Sequence, residues 1–436
     1  MEFLLSFGSI YYPAMATDKN ASDRSVAFDE DPLWFPARAL NATGGLTTRF
    51  GRPLPRLDLD HVRRRAEKTT GLSDWGEDWD AHTAEQLQSA LETEANLTTI
   101  GRQFARQWVV QNMALRLRLV EQYRTRPEIL ERPLARPLMV INLPRSGATL
   151  LQFLLARVPE LNSLYPHQIL DPIRAERIAQ GEEVPSQSRS RRRHRVVNRL
   201  LPAYRELHPM EAEEPDECNA LLARQSADLA TAAIFRIPSY VDSWTASDLR
   251  PAYRDMKAQI QLMQGDQPPR PWVLRTPAHL FALDVIFELF PDVCVVQVHR
   301  DPVATISSFC SLAATVRRSN STHVDPAELG PRWSEHWADG CDRAMAARDV
   351  APATATVIDV PYEELIATPH DVVDRILDAV APDATRPDRE VVRQRVDAGR
   401  QGRRHTYEPE WFGIDPDALR ERFSRYIERF DVRTGR

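Results

Sequence analysis

The sequence predicts an α/β protein: a mostly parallel central sheet with helices on both faces, preceded by a helical region and interrupted by a helical insertion. Three observations predict it. Leu138 to Asn142 and Val293 to Val298 are short apolar runs without polar alternation, the pattern of strands buried on both faces. Each ends in a turn marked by glycine or proline and then enters an apolar helical pattern, Thr149 to Arg157 in one case and Val303, Ile306 and Phe309 to Cys310 in the other. Two more strand candidates, Trp272 to Leu274 and Thr356 to Val360, alternate with helical stretches in the same way.

Taken in order, residues 1–50 read as a flexible lead punctuated by Pro, Gly and Asn. Residues 51–135 form a helical region. Within it Ile100, Phe104, Trp108, Leu115 and Leu119 recur at helical spacing as core positions, and Asn96 is placed to cap a long helix. Arg126-Pro127 and Pro133 to Pro137 link this region to the core, residues 136–436. A largely helical insertion occupies about residues 172–270. From Ile366 onward the chain reads as helices plus a loop, His405 to Gly413, placed to close over a ligand. There is no internal repeat.

Composition narrows the classes. A chain of 436 residues buries a substantial core, and a net charge of −6 gives no reason to expect nucleic acid or an anionic membrane as partner. Cys218, Cys294, Cys310 and Cys341 are scattered without a Cys-x-x-Cys pair, which fits reduced thiols in a cytoplasmic protein rather than a disulfide frame or zinc site. No stretch reads as a transmembrane span. The first 16 residues carry Glu2 and no basic flank, against a signal peptide, and Met1 and Met15 both stand as starts. Arg189, Arg191, Arg192, Arg193, Arg195 and Arg199 form a basic run, read as a solvated helix face or loop, the alternative being a patch for an acidic ligand.

The chemistry is carried by two strand ends. Pro144-Arg145-Ser146-Gly147-Ala148-Thr149-Leu150 joins a buried strand to a helix: glycine lets the backbone approach an anion, the first helical N–H groups are unpaired, and the helix dipole adds positive charge. The loop has no Gly-x-x-x-x-Gly-Lys-Ser/Thr, and the three lysines, Lys19, Lys68 and Lys257, are all remote in sequence, which disfavours a P-loop ATPase or kinase. His299-Arg300-Asp301-Pro302 ends the second strand, with Ser307, Ser308 and Ser311 on the following helix. In a parallel sheet both loops open at the carboxyl edge, so they are expected to face one nucleotide phosphorylated at two places.

These motifs resemble those of the nucleotide-dependent sulfotransferases, in particular the large bacterial branch. Residues 144 to 151 match the family's Pro-Arg-Ser/Thr-Gly-Thr-Thr-Leu-Leu loop with one change, Ala148. Arg300 and Ser308 have the eight-residue spacing of its 3′-phosphate site. Trp272 to Leu280 is similar to its Trp-Val-Leu-Lys-Ser-Pro-x-His-Leu, and Tyr362-Glu363-Glu364-Leu365 to its Tyr-Glu-Asp-Leu. His208-Pro209, Pro215 to Cys218, Leu72-Ser73-Asp74 and the tail around His405, Tyr407 and Phe412-Gly413 extend the resemblance over roughly residues 57 to 433. It implies a P-loop-like three-layer sandwich and transfer of a sulfuryl group from 3′-phosphoadenosine 5′-phosphosulfate (PAPS) to a hydroxyl, or an amine, of a small molecule, leaving adenosine 3′,5′-bisphosphate. No metal is expected.

By the same resemblance Arg145, Ser146, Gly147, Ala148, Thr149 and Leu150 would hold the 5′-phosphosulfate, and Arg300 with Ser308 the 3′-phosphate. Tyr362 would lie near the adenine, Arg404, His405 and Tyr407 near the phosphates. Arg275 takes the position of the family's lysine, supplying charge to the departing bridging oxygen. The branch's usual base is a glutamate at the position of Gln168, which cannot take a proton. Three readings follow: His208 acts, neighbouring His167 substitutes, or the acceptor needs little activation; His208 is taken first, since a neutral imidazole is a competent base near pH 7. Two rival classes remain, an ATP-dependent phosphotransferase and a nucleotide-binding protein without turnover, the latter motivated by the departures at Ala148, Gln168 and Arg275.

Overall fold

The computed structural model describes residue 41 and residues 55–179, 213–401 and 408–435, with backbone alone for 179 and 398–401. The lead, the arginine run, His208, Arg404, His405 and Tyr407 lie outside the described residues. Three helices come first: α1, Leu59–Thr70; α2, Ala81–Thr93; and α3, Thr99–Thr125. Asn96 does not cap α3. It takes a left-handed turn (φ +48°) that brings its carbonyl to Thr322, and Thr98 is the cap, its hydroxyl accepting from the Gly101 N–H at 3.0 Å. Trp108, Leu115 and Leu119 are buried on α3, and Phe104 packs partly buried against the core. The helix is tied to the insertion by the Trp108 indole N–H, which donates to Thr231 Oγ1 at 3.1 Å, and by a buried Arg116–Asp255 pair at 2.9 Å.

Five parallel strands form the sheet: β1, Leu138–Asn142; β2, Asn162–Ser163; β3, Trp272–Arg275; β4, Cys294–His299; and β5, Thr356–Pro361, in the order β2-β3-β1-β4-β5. β2 is an addition to the four strands the sequence predicts; with two residues it is too short to show a pattern. Alternate side chains serve two cores. Met139, Ile141, Leu274 and Val295 join the larger cluster with the helical region and insertion, while Leu138, Val140, Val273, Val296 and Val298 pack beneath α4 (Ala148–Leu155) and the helix Pro369–Val380. Burial of both faces is why these strands read as uninterrupted apolar runs. Strand order reverses at β1: the chain leaves it toward β3 and β2 and returns to β4 on its other side. Asn142 is level with Val298, so the β1 and β4 ends open at one edge.

Candidate active site

The reversal point between β1 and β4 is where a doubly wound sheet offers a crevice at its carboxyl edge. β1 runs through Leu143 and Pro144 into a turn containing two left-handed residues, Arg145 (φ +67°) and Gly147 (φ +93°), and α4 starts at Ala148, one residue ahead of the sequence reading. Left-handed backbone costs a non-glycine residue about 1–2 kcal/mol, and contacts from neighbouring strand ends hold Arg145 there. Its carbonyl accepts from Arg300 Nη1 at 2.9 Å, and its Nε donates to Ser308 Oγ at 3.1 Å. Gly147 leaves room for Tyr362, which follows β5: a Cβ at 147 would lie 2.9 Å from two carbons of the tyrosine ring. The Arg300 guanidinium lies 4.0 Å from the centre of that ring. Five predicted positions, Arg145, Gly147, Arg300, Ser308 and Tyr362, thus form one contiguous cluster contributed by three strand ends.

β3 supplies Arg275, opposite Val140 of β1 and almost wholly buried. Its Nη1 meets Glu217 at 2.6 Å and its Nε donates to Gln152 Oε1 of α4 at 2.7 Å, whereas Nη2 is buried without a protein partner. Gln152 is itself fixed, donating to the Asp216 carbonyl at 2.7 Å. Burial pushes the Glu217 carboxyl up, against the opposing pull of Arg275, and pushes neighbouring Asp216 well above the usual range. Cys218 and His279 lie behind the pair, and burial drives His279 down to about 3, so that this layer is neutral.

A cavity open to solvent joins the Pro144–Thr149 loop to Glu217 and Arg275, whereas Arg300, Ser308 and Tyr362 do not line it. Its lining comprises Asn142 and Pro144 to Thr149, Glu217, Asn219 and Arg275 to Ala278, and Leu229, Ala230, Ala233, Phe309 and Trp337. Ser146 Oγ, which is fully buried, has no protein partner. Leu150 packs against the core under α4 instead of facing the cavity. His167 also lies off the cavity lining, half-buried beside Tyr165, and burial lowers its pKa. Gln168 uses its side-chain oxygen to accept from the Tyr165 N–H at 2.9 Å. Of the two histidines weighed as bases, His167 does not line the cavity and His208 lies outside the described residues, while Glu217 does line it. Along the chain Glu217 stands only within the Pro215 to Cys218 motif; an acidic pair, Asp216-Glu217, shortly before the buried Ala220-Leu221-Leu222 is the signal that marks it.

A parallel sheet with a glycine-bearing anion loop after β1 and arginines on three strand ends defines a P-loop-like transferase fold. The sulfotransferase family model matches residues 137–383, more than half of the chain, and the protein belongs to that family. Among solved structures, the sulfotransferase STF1 from Mycobacterium tuberculosis H37Rv is 28% identical with a TM-score of 0.72, over 84% of this chain and 98% of that one. The sulfotransferase STF9 from Mycobacterium avium shares the fold at 23% identity and a TM-score of 0.76, over 87% of this chain and 98% of that one. No curated protein matches in sequence. No helix among the described residues is long and apolar enough to cross a membrane.

Proposed function

We propose that this sulfotransferase moves a sulfuryl group from PAPS to a hydroxyl of a small-molecule acceptor, with Glu217 taking the acceptor's proton. The observation that carries the reading is the buried Arg275–Glu217 pair on the same cavity as the Pro144–Thr149 loop, with Arg275 Nη2 unpartnered. The residues fit the donor nucleotide: the loop amides of 146 to 149, the orphaned Ser146 hydroxyl and the Thr149 side chain suit a 5′-phosphosulfate, and Arg300 with Ser308 suits a 3′-phosphate. Arg145 is directed to Ser308, so in this reading it bridges the two phosphate positions. Tyr362 carries Arg300 and floors the loop.

In the transfer, the acceptor oxygen forms a bond to sulfur as the bond from sulfur to the bridging phosphate oxygen breaks. The acceptor proton passes to Glu217, and the electron pair left on the bridging oxygen faces Arg275 Nη2. Sulfuryl transfer goes through a loose, charge-dispersed state, so a prepositioned, almost wholly buried guanidinium is the effective stabiliser. Burial raises the proton affinity of Glu217, which suits it to accept a proton near neutral pH. His208, outside the described residues, is the alternative base. Calorimetric binding of adenosine 3′,5′-bisphosphate against AMP and ADP, with and without magnesium, tests the donor: the expected result is a metal-independent preference for the bisphosphate. Equal affinities, or a requirement for magnesium, would refute it and favour a phosphotransferase.

A further inference from the structure

We infer that the acceptor is a compact aromatic alcohol of the phenol class carrying a second hydrogen-bond donor on its ring, and that Asn219 Oδ1 receives that donor. This rests on the sulfuryl-transfer reading and specifies its substrate. Part of the cavity lining differs chemically from the Pro144–Thr149 loop. Leu229, Ala230, Ala233 and Ala278 form an apolar wall of mostly small side chains, and Phe309 and Trp337 add aromatic surface. A flat, apolar body suits such a wall, whereas a sugar requires a ring of polar partners, and the Trp337 indole N–H is the one polar group that these six side chains offer.

The aromatic surface is braced from behind. Trp337 packs edge-on to Phe309 at 5.8 Å between ring centres and edge-on to His336 at 5.1 Å, and lies parallel to Trp333 at 6.0 Å. Phe281 stacks on His336 at 4.5 Å, and burial drives His336 down to about 3, so the whole layer is uncharged. Trp337 therefore presents a fixed face rather than a mobile side chain, and a rigid face discriminates by shape.

Asn219, two residues beyond Glu217, lines the same cavity and is linked to this wall through Asp228, which also accepts from the Ala230 N–H. It is 1% exposed, its amide nitrogen donates to Asp228 Oδ1, and its Oδ1 has no partner among the described residues. The Asp228 carboxylate, which also accepts from Thr231 Oγ1 at 2.8 Å and from the Ala230 N–H at 2.8 Å, fixes which way the amide faces. A buried carbonyl oxygen left unpaired costs about 1–3 kcal/mol, and a cavity position makes a ligand donor its natural partner. The reacting hydroxyl gives its proton to Glu217, so the donor for Asn219 is a different group on the same molecule.

The test is steady-state transfer from PAPS to resorcinol, phenol, cyclohexanol, dodecanol and methyl glucoside, with sulfated products read by mass spectrometry, alongside calorimetric binding of adenosine 3′,5′-bisphosphate. The expected order in kcat/KM is resorcinol first, at least about tenfold over phenol, since a site built around a hydrogen bond rejects the analogue lacking it. Phenol exceeds cyclohexanol, and the other two are poor. In Asn219→Leu the resorcinol-to-phenol ratio falls toward one. Because that change also strips a partner from Asp228, Ala233→Trp is the second variant: it fills the wall side, raising KM for resorcinol at least about tenfold with bisphosphate affinity retained. Preference for dodecanol or methyl glucoside with the bisphosphate still bound overturns the acceptor inference alone. An unchanged resorcinol-to-phenol ratio in folded Asn219→Leu overturns the role of Asn219. Failure to bind the bisphosphate, with no product from any acceptor, overturns the sulfuryl-transfer reading and this inference with it.

Discussion

Glu217 offers the sharpest test, because its observed role as partner to Arg275 and its proposed role as proton acceptor separate in two substitutions. Glu217→Ala leaves the Arg275 guanidinium 2% exposed with one fewer anchor, facing no negative charge. Removing one member of a buried ion pair costs about 3–5 kcal/mol, mostly the penalty of the charge left behind. Glu217→Gln keeps the volume and an oxygen 2.6 Å from Arg275 Nη1, so it retains a hydrogen bond and is expected to cost less, about 1–3 kcal/mol. It cannot take a proton. In Glu217→Gln, turnover should fall by about two to four orders of magnitude while bisphosphate affinity stays within a few-fold. Urea unfolding reads the first quantity, single-turnover product formation the second and calorimetry the third. The pH profile supplies an independent check. A base acts deprotonated, and burial raises the pKa of this carboxyl, so kcat/KM should fall on acidification through an ionisation above the ordinary carboxylate range, and that limb should vanish in Glu217→Gln. Near-normal turnover in a folded Glu217→Gln enzyme, with a loss in His208→Ala instead, would refute the argument.

Three further outcomes follow from the geometry. Arg300→Ala should weaken adenosine 3′,5′-bisphosphate binding by roughly 1.5 to 3 kcal/mol, the worth of a charge-assisted hydrogen bond, and barely change that of adenosine 5′-phosphosulfate; equal losses for both would remove Arg300 from the 3′-phosphate. Gly147→Ala puts a methyl 2.9 Å from the Tyr362 ring at φ +93°, combining about 1–2 kcal/mol of backbone strain with about 1–3 kcal/mol of overpacking. Its urea midpoint and bisphosphate affinity should both drop, and Tyr362→Ala in the same chain should recover the overpacking share but not the strain. His167→Ala should leave turnover within about threefold, as expected for a partly buried side chain remote from the reacting groups; a loss of a hundredfold would return it to the candidate bases.

How far the sequence could be read follows the range of each interaction. β1 and β4 were legible because burial on both faces leaves a continuous apolar run, while β2, two residues paired beside Trp272 and Val273, exists only through its neighbour. The α3 cap was misread because Asn96 and Thr98 are both good caps, and only the tertiary pairing of residues 96 to 98 with Asn320 to Thr322 assigns one to a turn and the other to the helix. The anion loop and the Arg300–Ser308 spacing are local in sequence and were visible. The pair at the centre of the cavity was not: Arg275 and Glu217 are 58 residues apart, and nothing local couples them.

That separation also changes the meaning of Gln168. Read along the chain, a glutamine at an expected glutamate suggests a lost base and a protein that binds without turning over. In three dimensions Gln168 accepts from the Tyr165 N–H where its helix begins, a structural task, and the cavity draws its carboxylate from the next segment, where Glu217 is buried against Arg275. An arginine at the lysine position fits this exchange. Its fork meets Glu217 and Gln152 on two nitrogens and leaves Nη2 for the proposed reaction, a division of labour that one ammonium, a point charge with freely rotating donors, would not hold in place. Two of the three departures are thus linked: with the carboxylate at 217 rather than 168, the cation beside it benefits from being planar. It follows that Arg275→Lys should be more damaging than the similar charge suggests, whereas Gln168→Glu should restore nothing.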